Sequence, residues 1–453
     1  MDTGTRMNWD RLLSPERLGD SRYQQQPDRS IFVQDHDRIV FSAPFRRLAN
    51  KTQVQPLYEN DHVHHRLIHS IEVSSVGRSL AMGIGHRLVE RGEITEAQVH
   101  DLANIVQAAC VAHDIGNPPF GHSGEEAMRA WFAEQFAANQ GLMADLPLRL
   151  RSEFTAFEGN AQGFRILTRL EMYRGDGGMR LAKATLGAFS KYPVTAMDRE
   201  ALSKTPPYVG RKKFGIFQSD LPQFQATADT LGLPKTSHGE AQFWSRHPLV
   251  FLMEAADDIT YNIVDMEDAF TTGELSFEAV RDALTTVAGH PNSANATTGM
   301  TKAENIAYLR ARGIGRSVTA CAQAFITHYE AIMAGTFSDD LVGASTLGPV
   351  FSEIKNIARE RIFTAPRKTE LEISGYRIIA NILSGILPVY EDLAQGAWSD
   401  DNLSPHSQQL ARALSLDLRD VKDAESALHA LTDFVSGMTD RYALRISRML
   451  SGT

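Results

Sequence analysis

The sequence is poor in the residues that staple or anchor proteins. Its 453 residues include two cysteines, Cys110 and Cys321, both within apolar stretches of helical spacing. That argues against a disulfide framework and fits a reducing compartment. No stretch reaches the ~18 uninterrupted apolar residues of a membrane span, and Met1 to Asp10 lack the apolar core of a signal sequence. A soluble cytoplasmic protein without membrane contact is expected. Positive charge is also short, with 46 Lys and Arg against 55 Asp and Glu and a net charge of −9. This speaks against a dedicated nucleic-acid coat protein and leaves room only for a local basic patch. Strand–helix alternation and internal repeats are missing as well, so an all-α, irregular helical bundle is expected.

What is there concentrates in Val111–Glu125, which packs two histidines, two acids, three glycines and two prolines into fifteen residues. The preceding Leu102–Ala112 is apolar at helical spacing, and Gly116 with Pro118 and Pro119 stops that helix. His113 and Asp114 therefore sit at a helix end beside a kinked loop carrying His122 and Glu125. An imidazole next to a carboxylate at the rim of an apolar helix suits a divalent metal. The pair alone is weak, since His36-Asp37 and His100-Asp101 also occur, in polar settings where surface exposure is the plain reading.

Further donors strengthen the third pair. His69 falls near the edge of the apolar face formed by Leu67, Ile71, Val76 and Leu80. Asp257, Tyr261 and Asp265 recur at i, i+4 and i+8, one continuous helical stripe. Acids in that apolar context are costly without partners, and a metal with a polyhydroxyl ligand would satisfy them. Asp258 shares the stripe at i+3 and i+7, so spacing alone leaves Asp257 and Asp258 open.

His69, His113-Asp114 and Asp257 resemble the H…HD…D pattern of HD-domain metallohydrolases. Phe41–Val54, Arg66–Val73, His113–Glu125, Phe157–Gln162 and Ala256–Asp268 further resemble, in the same order, bacterial deoxyguanosine triphosphate triphosphohydrolases. The resemblance runs from about Asp28 to Leu393. It implies an HD-type helical fold and hydrolysis of dGTP, or other dNTPs, to deoxynucleoside and tripolyphosphate. It implies one divalent ion (Mn, Mg, Co or Fe) held by His69, His113, Asp114 and Asp257, the last chosen over Asp258 on the family's spacing. His122 would act as acid or nucleophile, oriented by Glu125. Substrate contacts would come from Gln53 and Asp265 to the sugar, Tyr261 against a 2′-hydroxyl, Arg66 to phosphate, and Asn117. Asn117 and Asn160 stand where related eukaryotic enzymes carry histidines. The resemblance further implies a homo-oligomer, dimer-based or hexameric, with a nucleotide or single-stranded DNA as effector. The alternatives are another HD-type phosphohydrolase, a 5′-nucleotidase or phosphodiesterase, or a regulatory binder with little turnover.

In order, residues 1–30 read as a polar, loosely ordered arm and 31–453 as one domain, with the HD core at about 60–275 and helices over 300–453. Helices are expected around Arg38–Leu48, over 66–92 and 95–114, from Gly124 capped by Ser123 or Gly124, over Pro248–Phe270, Ala303–Arg312, Val318–Ala334 and Ala424–Ile446. Residues 192–245, proline-rich, read as an insertion over the site mouth. Its cluster Arg211-Lys212-Lys213 is plainly a solvated loop, or more sharply an attractor of anionic nucleotide.

Overall fold

Small residues let the central helices close on one another. The Arg66–Glu90 and Glu96–Ala112 helices form an antiparallel pair. A Cβ at Gly77 would come within 2.4 Å of Cys110 Sγ and 3.4 Å of Ala256 Cβ. Gly77, Cys110 and Ala256 thus mark the point where the Val250–Thr271 helix joins the pair, and a larger side chain at any of them would force the helices apart. The computed structural model describes residues 6–20, 22, 23, 26, 28–52, 64–289, 298–362, 364 and 366–452. Gln53 lies outside the described residues, as do residues 290–297.

The architecture is all-α. Among the described residues the one sheet is an antiparallel hairpin, Lys235–His238 paired with Ala241–Trp244, and no helix is long and apolar enough to cross a membrane. Two apolar cores form. The larger surrounds the three central helices. The second joins the Gly121–Ala138 helix to the C-terminal helices Pro366–Gln395, Ala424–Ser436 and Asp440–Ser451. The polar N-terminal stretch is anchored: Met7, Trp9, Leu12, Leu13 and Leu18 are buried, and Trp9 Nε1 donates to the Tyr329 hydroxyl at 2.8 Å.

Several boundaries differ from the sequence expectation. The helix expected around Arg38–Leu48 is two, Ile31–Val40 and Ala43–Arg47, because Ser42 caps the second and Pro44 occupies its first turn. The helix expected from Gly124 begins at Gly121, so neither Ser123 nor Gly124 is its cap. The two helices expected over Ala303–Arg312 and Val318–Ala334 are instead a continuous Lys302–Thr327 and a short Tyr329–Met333. Gly313 does not break the first, since it packs against Ile263 and Val287. Ala424–Ile446 splits near Gly437, and Thr439 caps the second piece.

A buried acid–imidazole pair sits in the second core. Glu153 and His429 are each 1% exposed, with Glu153 Oε2 3.5 Å from His429 Nε2, and His429 is flanked by Phe154 and Phe217. Burial pushes the Glu153 carboxyl up to about 8 and holds His429 well below its ordinary value. Between the ordinary 4.5 and about 8 the folded chain keeps a proton that the unfolded chain has lost. Stability from this group is therefore complete below pH 4.5 and is lost as pH rises through about 8. Glu153→Gln, which cannot ionise, should gain stability on the parent by up to ~1.4 kcal/mol per pH unit between pH 5 and 8 and then level off. Urea denaturation at each pH measures this, and a difference independent of pH would refute the assignment.

Candidate metal centre

The convergence of the three helices puts their polar residues at one buried point. His69 lies in the first turns of Arg66–Glu90, His113 and Asp114 follow the end of Glu96–Ala112, and Asp257 projects from Val250–Thr271. His69 Nε2 is 3.1 Å from Asp257 Oδ1. His113 Nε2 is 3.5 Å from both Asp257 Oδ1 and Asp114 Oδ1. The two imidazoles meet edge to face with centroids 5.2 Å apart. His69 is 2% exposed and belongs to the buried face with Val73, Val76, Leu80 and Ile84, whereas Ile71, expected on that face, is 48% exposed. Alternation between Ile68, His69 and Ile71 is thus the reverse of the hydropathy pattern: a polar residue is inside and two apolar ones outside.

The donor chemistry tests whether a cation fits. His113 Nδ1 lies 2.8 Å from the Cys110 carbonyl, so Nδ1–H donates there and Nε2 presents its lone pair to two carboxylates. Lone pair against carboxylate in a buried space is repulsive unless something positive lies between. Asp114 is pinned for such a role, with Oδ2 accepting from Arg66 Nη1 at 2.6 Å and Oδ1 from Asn117 Nδ2 at 2.5 Å. Burial opposes charge on Asp257, but His113 and His69 outweigh it and hold its carboxyl well below the ordinary range. On His69 burial likewise opposes charge, and the bond to Asp257 raises its pKa. A bound cation would take the place of that proton. Two imidazole nitrogens and two carboxylates are a mixed set suited to Mn, Fe, Co or Mg, so the residues fit a divalent ion. Asp258 also lines the space above the cluster, but its carboxylate pairs with Lys355 Nζ at 3.2 Å and makes no bond to either imidazole among the described residues.

A cavity of 400 Å³ opens over this cluster, within the ~300–1,000 Å³ typical of small-ligand sites. Its lining includes Arg66, Asn117, His122, Glu125, Asn160 and Tyr261 of the residues singled out from sequence. His122 Nδ1 is 3.0 Å from Glu125 Oε2, and Glu125 is fixed from behind by the Gly159 N–H, 2.7 Å from Oε1. Burial works against ionised Glu125; the His122 bond and the charge of Lys213 outweigh it and lower its pKa. His122 itself is largely solvent-facing and Glu125 is buried. Arg66 does not offer its whole fork to the cavity, since one amino group holds Asp114. Asn117 lines the cavity and gives one N–H of its amide to Asp114. Asp265 is buried one turn behind Tyr261. Burial, then the charge of Asp265 and a hydrogen bond to it, raise the Tyr261 pKa well above its ordinary value.

The family model for the HD domain matches residues 66–150, the segment that carries His69, His113-Asp114, His122 and Glu125. Over nearly the whole length, the chain is 41% identical to a deoxyguanosinetriphosphate triphosphohydrolase-like protein of Pseudomonas aeruginosa, covering 98% of this chain and 99% of the relative. The chain belongs to this HD-domain family. A relative of the same description from Synechocystis sp. is 39% identical over 98% of this chain and 99% of its own length. A deoxyguanosinetriphosphate triphosphohydrolase of Salmonella schwarzengrund is 32% identical over 91% of this chain and 86% of its own. HD-domain proteins of this family are metal-dependent phosphohydrolases, in keeping with the donor set.

Of the cations of the cavity, sequence reasoning named Arg66 and, within a basic cluster, Lys213, and missed Lys191. Lys191 lines it and pairs with Glu254 at 3.3 Å, and Lys213 lines it and bonds Glu158 Oε2 at 2.8 Å. Lys213 was visible only as one of three basic residues; Arg211, its neighbour, instead bonds Thr205 and the Leu202 carbonyl. Lys191 has no periodicity or motif to mark it. Glu372, from the Pro366–Gln395 helix, also reaches the lining.

This donor set predicts ion-dependent stability. Mn²⁺ at a hundred times its Kd should stabilise the fold by ~2.7 kcal/mol, and EDTA should remove the gain. Asp257→Ala should abolish the response and Asp258→Ala keep it. Thermal melts of the three proteins check this, and an unaltered Mn²⁺ shift in Asp257→Ala would eliminate that residue as a ligand.

Proposed function

We propose that the protein is a divalent-metal-dependent deoxynucleoside triphosphate triphosphohydrolase that releases deoxynucleoside and tripolyphosphate, with dGTP among its substrates. One observation carries the reading: the His69, His113, Asp114 and Asp257 cluster and the carboxylate-oriented His122 share one cavity with Arg66, Lys191 and Lys213. The relatives' name adds the substrate class.

The four residues would hold the ion, which when bound supplies Lewis acidity for water activation and phosphoryl polarisation. Everything else is done by side chains of this chain. Lys191, Lys213 and the outer part of Arg66 offer positive charge to the triphosphate, matching the charge that grows on its oxygens in the transition state. Glu125 takes the Nδ1 proton bond of His122 and so fixes its tautomer. With both ring nitrogens protonated, His122 would deliver the proton carried on Nε2. Water oxygen adds to the α-phosphorus as the bond from phosphorus to the sugar 5′-oxygen breaks with its electron pair leaving on oxygen; the His122 imidazolium protonates that oxygen, and the proton given up by the attacking water restores the imidazolium. Asn117 and Arg66 keep Asp114 oriented. Tyr261, braced by Asp265, forms the wall that a ribose 2′-hydroxyl would meet, and Gln53, on the resemblance, reads the same sugar edge. Discrimination of this kind is strong because the wrong ligand strands buried polar groups.

Incubation with dGTP in Mn²⁺ should yield tripolyphosphate and deoxyguanosine, the other dNTPs being assayed alongside, with kcat/KM for GTP, which would give guanosine, at least ~10²-fold below that for dGTP. His122→Ala should lower kcat by ~10²- to 10⁴-fold with Mn²⁺ affinity retained. Orthophosphate or a monophosphate as the first product would instead indicate another HD-type phosphohydrolase.

A further inference from the structure

The loop between the His113-Asp114 pair and His122 is held from the far end of the chain. Phe120, the residue before the Gly121–Ala138 helix, has φ 63° and ψ 12°. A bulky side chain adopts this left-handed conformation only where the surroundings enforce it. Its N–H donates to Asp440 Oδ1 at 2.9 Å, across 320 residues of sequence. Its ring lies against Gly375, where a Cβ would meet Phe120 Cγ at 2.9 Å. The other oxygen of Asp440 accepts from the Thr52 N–H at 3.1 Å and from the Thr52 hydroxyl. Next to it, Lys51 Nζ donates to the Asn117 carbonyl at 2.6 Å and the Ser436 carbonyl at 2.7 Å.

Lys51 and Asp440 are 3% and 2% exposed. Buried charges are an expensive way to hold helices together when apolar residues would serve. Each gives one hydrogen bond to the backbone of the Asn117–Phe120 turn, Lys51 at its first residue and Asp440 at its last, and ties that end to Ser436 or Thr52. His122, two residues beyond Phe120, inherits its position from that turn, as does Gly121, whose Cβ position would lie 2.6 Å from Arg66 Nη2.

We infer that Asp440, supported by Lys51, is a positioning residue for the reaction: through Phe120 it sets His122 relative to the metal-donor cluster without touching the reacting atoms. The inference rests on the hydrolase reading above. The N-terminus of the Asp440–Ser451 helix is then a working part of the catalytic centre, and the donor cluster assembles without it.

Asp440→Asn keeps the volume but replaces one acceptor oxygen with an N–H donor, so it cannot serve both Phe120 and Thr52. Asn381→Ala is the control, because it cuts the 2.9 Å bond to the Ser447 carbonyl between the same two C-terminal helices. Asp440→Asn should lower kcat for dGTP by ~10- to 100-fold, leave KM and Mn²⁺ affinity within ~3-fold of the parent, and speed amide exchange in the 117–125 peptide. Asn381→Ala should do neither. Thr52→Val, which weakens the anchorage of the carboxylate but spares its bond to Phe120, should show a smaller kcat loss of the same kind and stands in if Asp440→Asn does not fold. Unchanged exchange in 117–125 would overturn the clamp. So would faster exchange with a kcat no lower than the control, or Mn²⁺ affinity falling in step with kcat. If the parent hydrolyses no dNTP, the hydrolase reading fails by itself and the exchange result still decides whether Asp440 holds the loop.

Discussion

Two carboxylates and two imidazoles share one buried space, and the rest of the molecule is arranged around making that tolerable. Asp114 and Asp257 cannot both be ionised beside the lone pair of His113 without positive charge among them. Some of it is built in, as the Arg66 guanidinium on Asp114 and the protonated state favoured at His69. The remainder is what a divalent ion would bring. The same requirement fits the bond that Asn117 Nδ2 donates to Asp114.

Placing those four groups within reach of one another is a packing problem before it is an electrostatic one. Gly77, Cys110 and Ala256 let three helix backbones approach until His69, His113 and Asp257 meet. The Pro118-Pro119 turn then carries the chain away and returns it at His122, with Phe120 in a strained conformation fixed by a carboxylate from the last helix. The two apolar cores meet along this line.

Legibility from sequence followed locality. His113-Asp114 could be read because an apolar helix runs into a Gly/Pro stop within a few residues, and Asp257–Tyr261–Asp265 because helical spacing alone puts them on one stripe. His69, His122 and Glu125 could be named as further donors, with their roles coming from the resemblance, and the structure brings them into one cavity with His113, Asp114, Asp257 and Tyr261. Residues whose place depends on long-range contact were unreadable. Lys191 sits between a helix and a proline with nothing local to mark it. Lys51 lies inside the Phe41–Val54 segment, yet nothing local marks it as buried. Asp440 looked like an ordinary acid in what was expected to be one long helix. Even Ile71 was misjudged, because local hydropathy put it on the buried face that His69 in fact shares.

Sequence by itself determined the helical class, the stop that creates the His113-Asp114 corner, and the residue types able to hold a cation; each depends on chain stiffness, spacing and side-chain chemistry within a few turns. Tertiary structure alone decided that Asp257 and not Asp258 faces the imidazoles, that Arg66 and Asn117 serve Asp114, and that the last helix grips the loop before His122. Those outcomes depend on which backbone atoms come within 3 Å of which side chains across hundreds of residues, and no local preference encodes such distances.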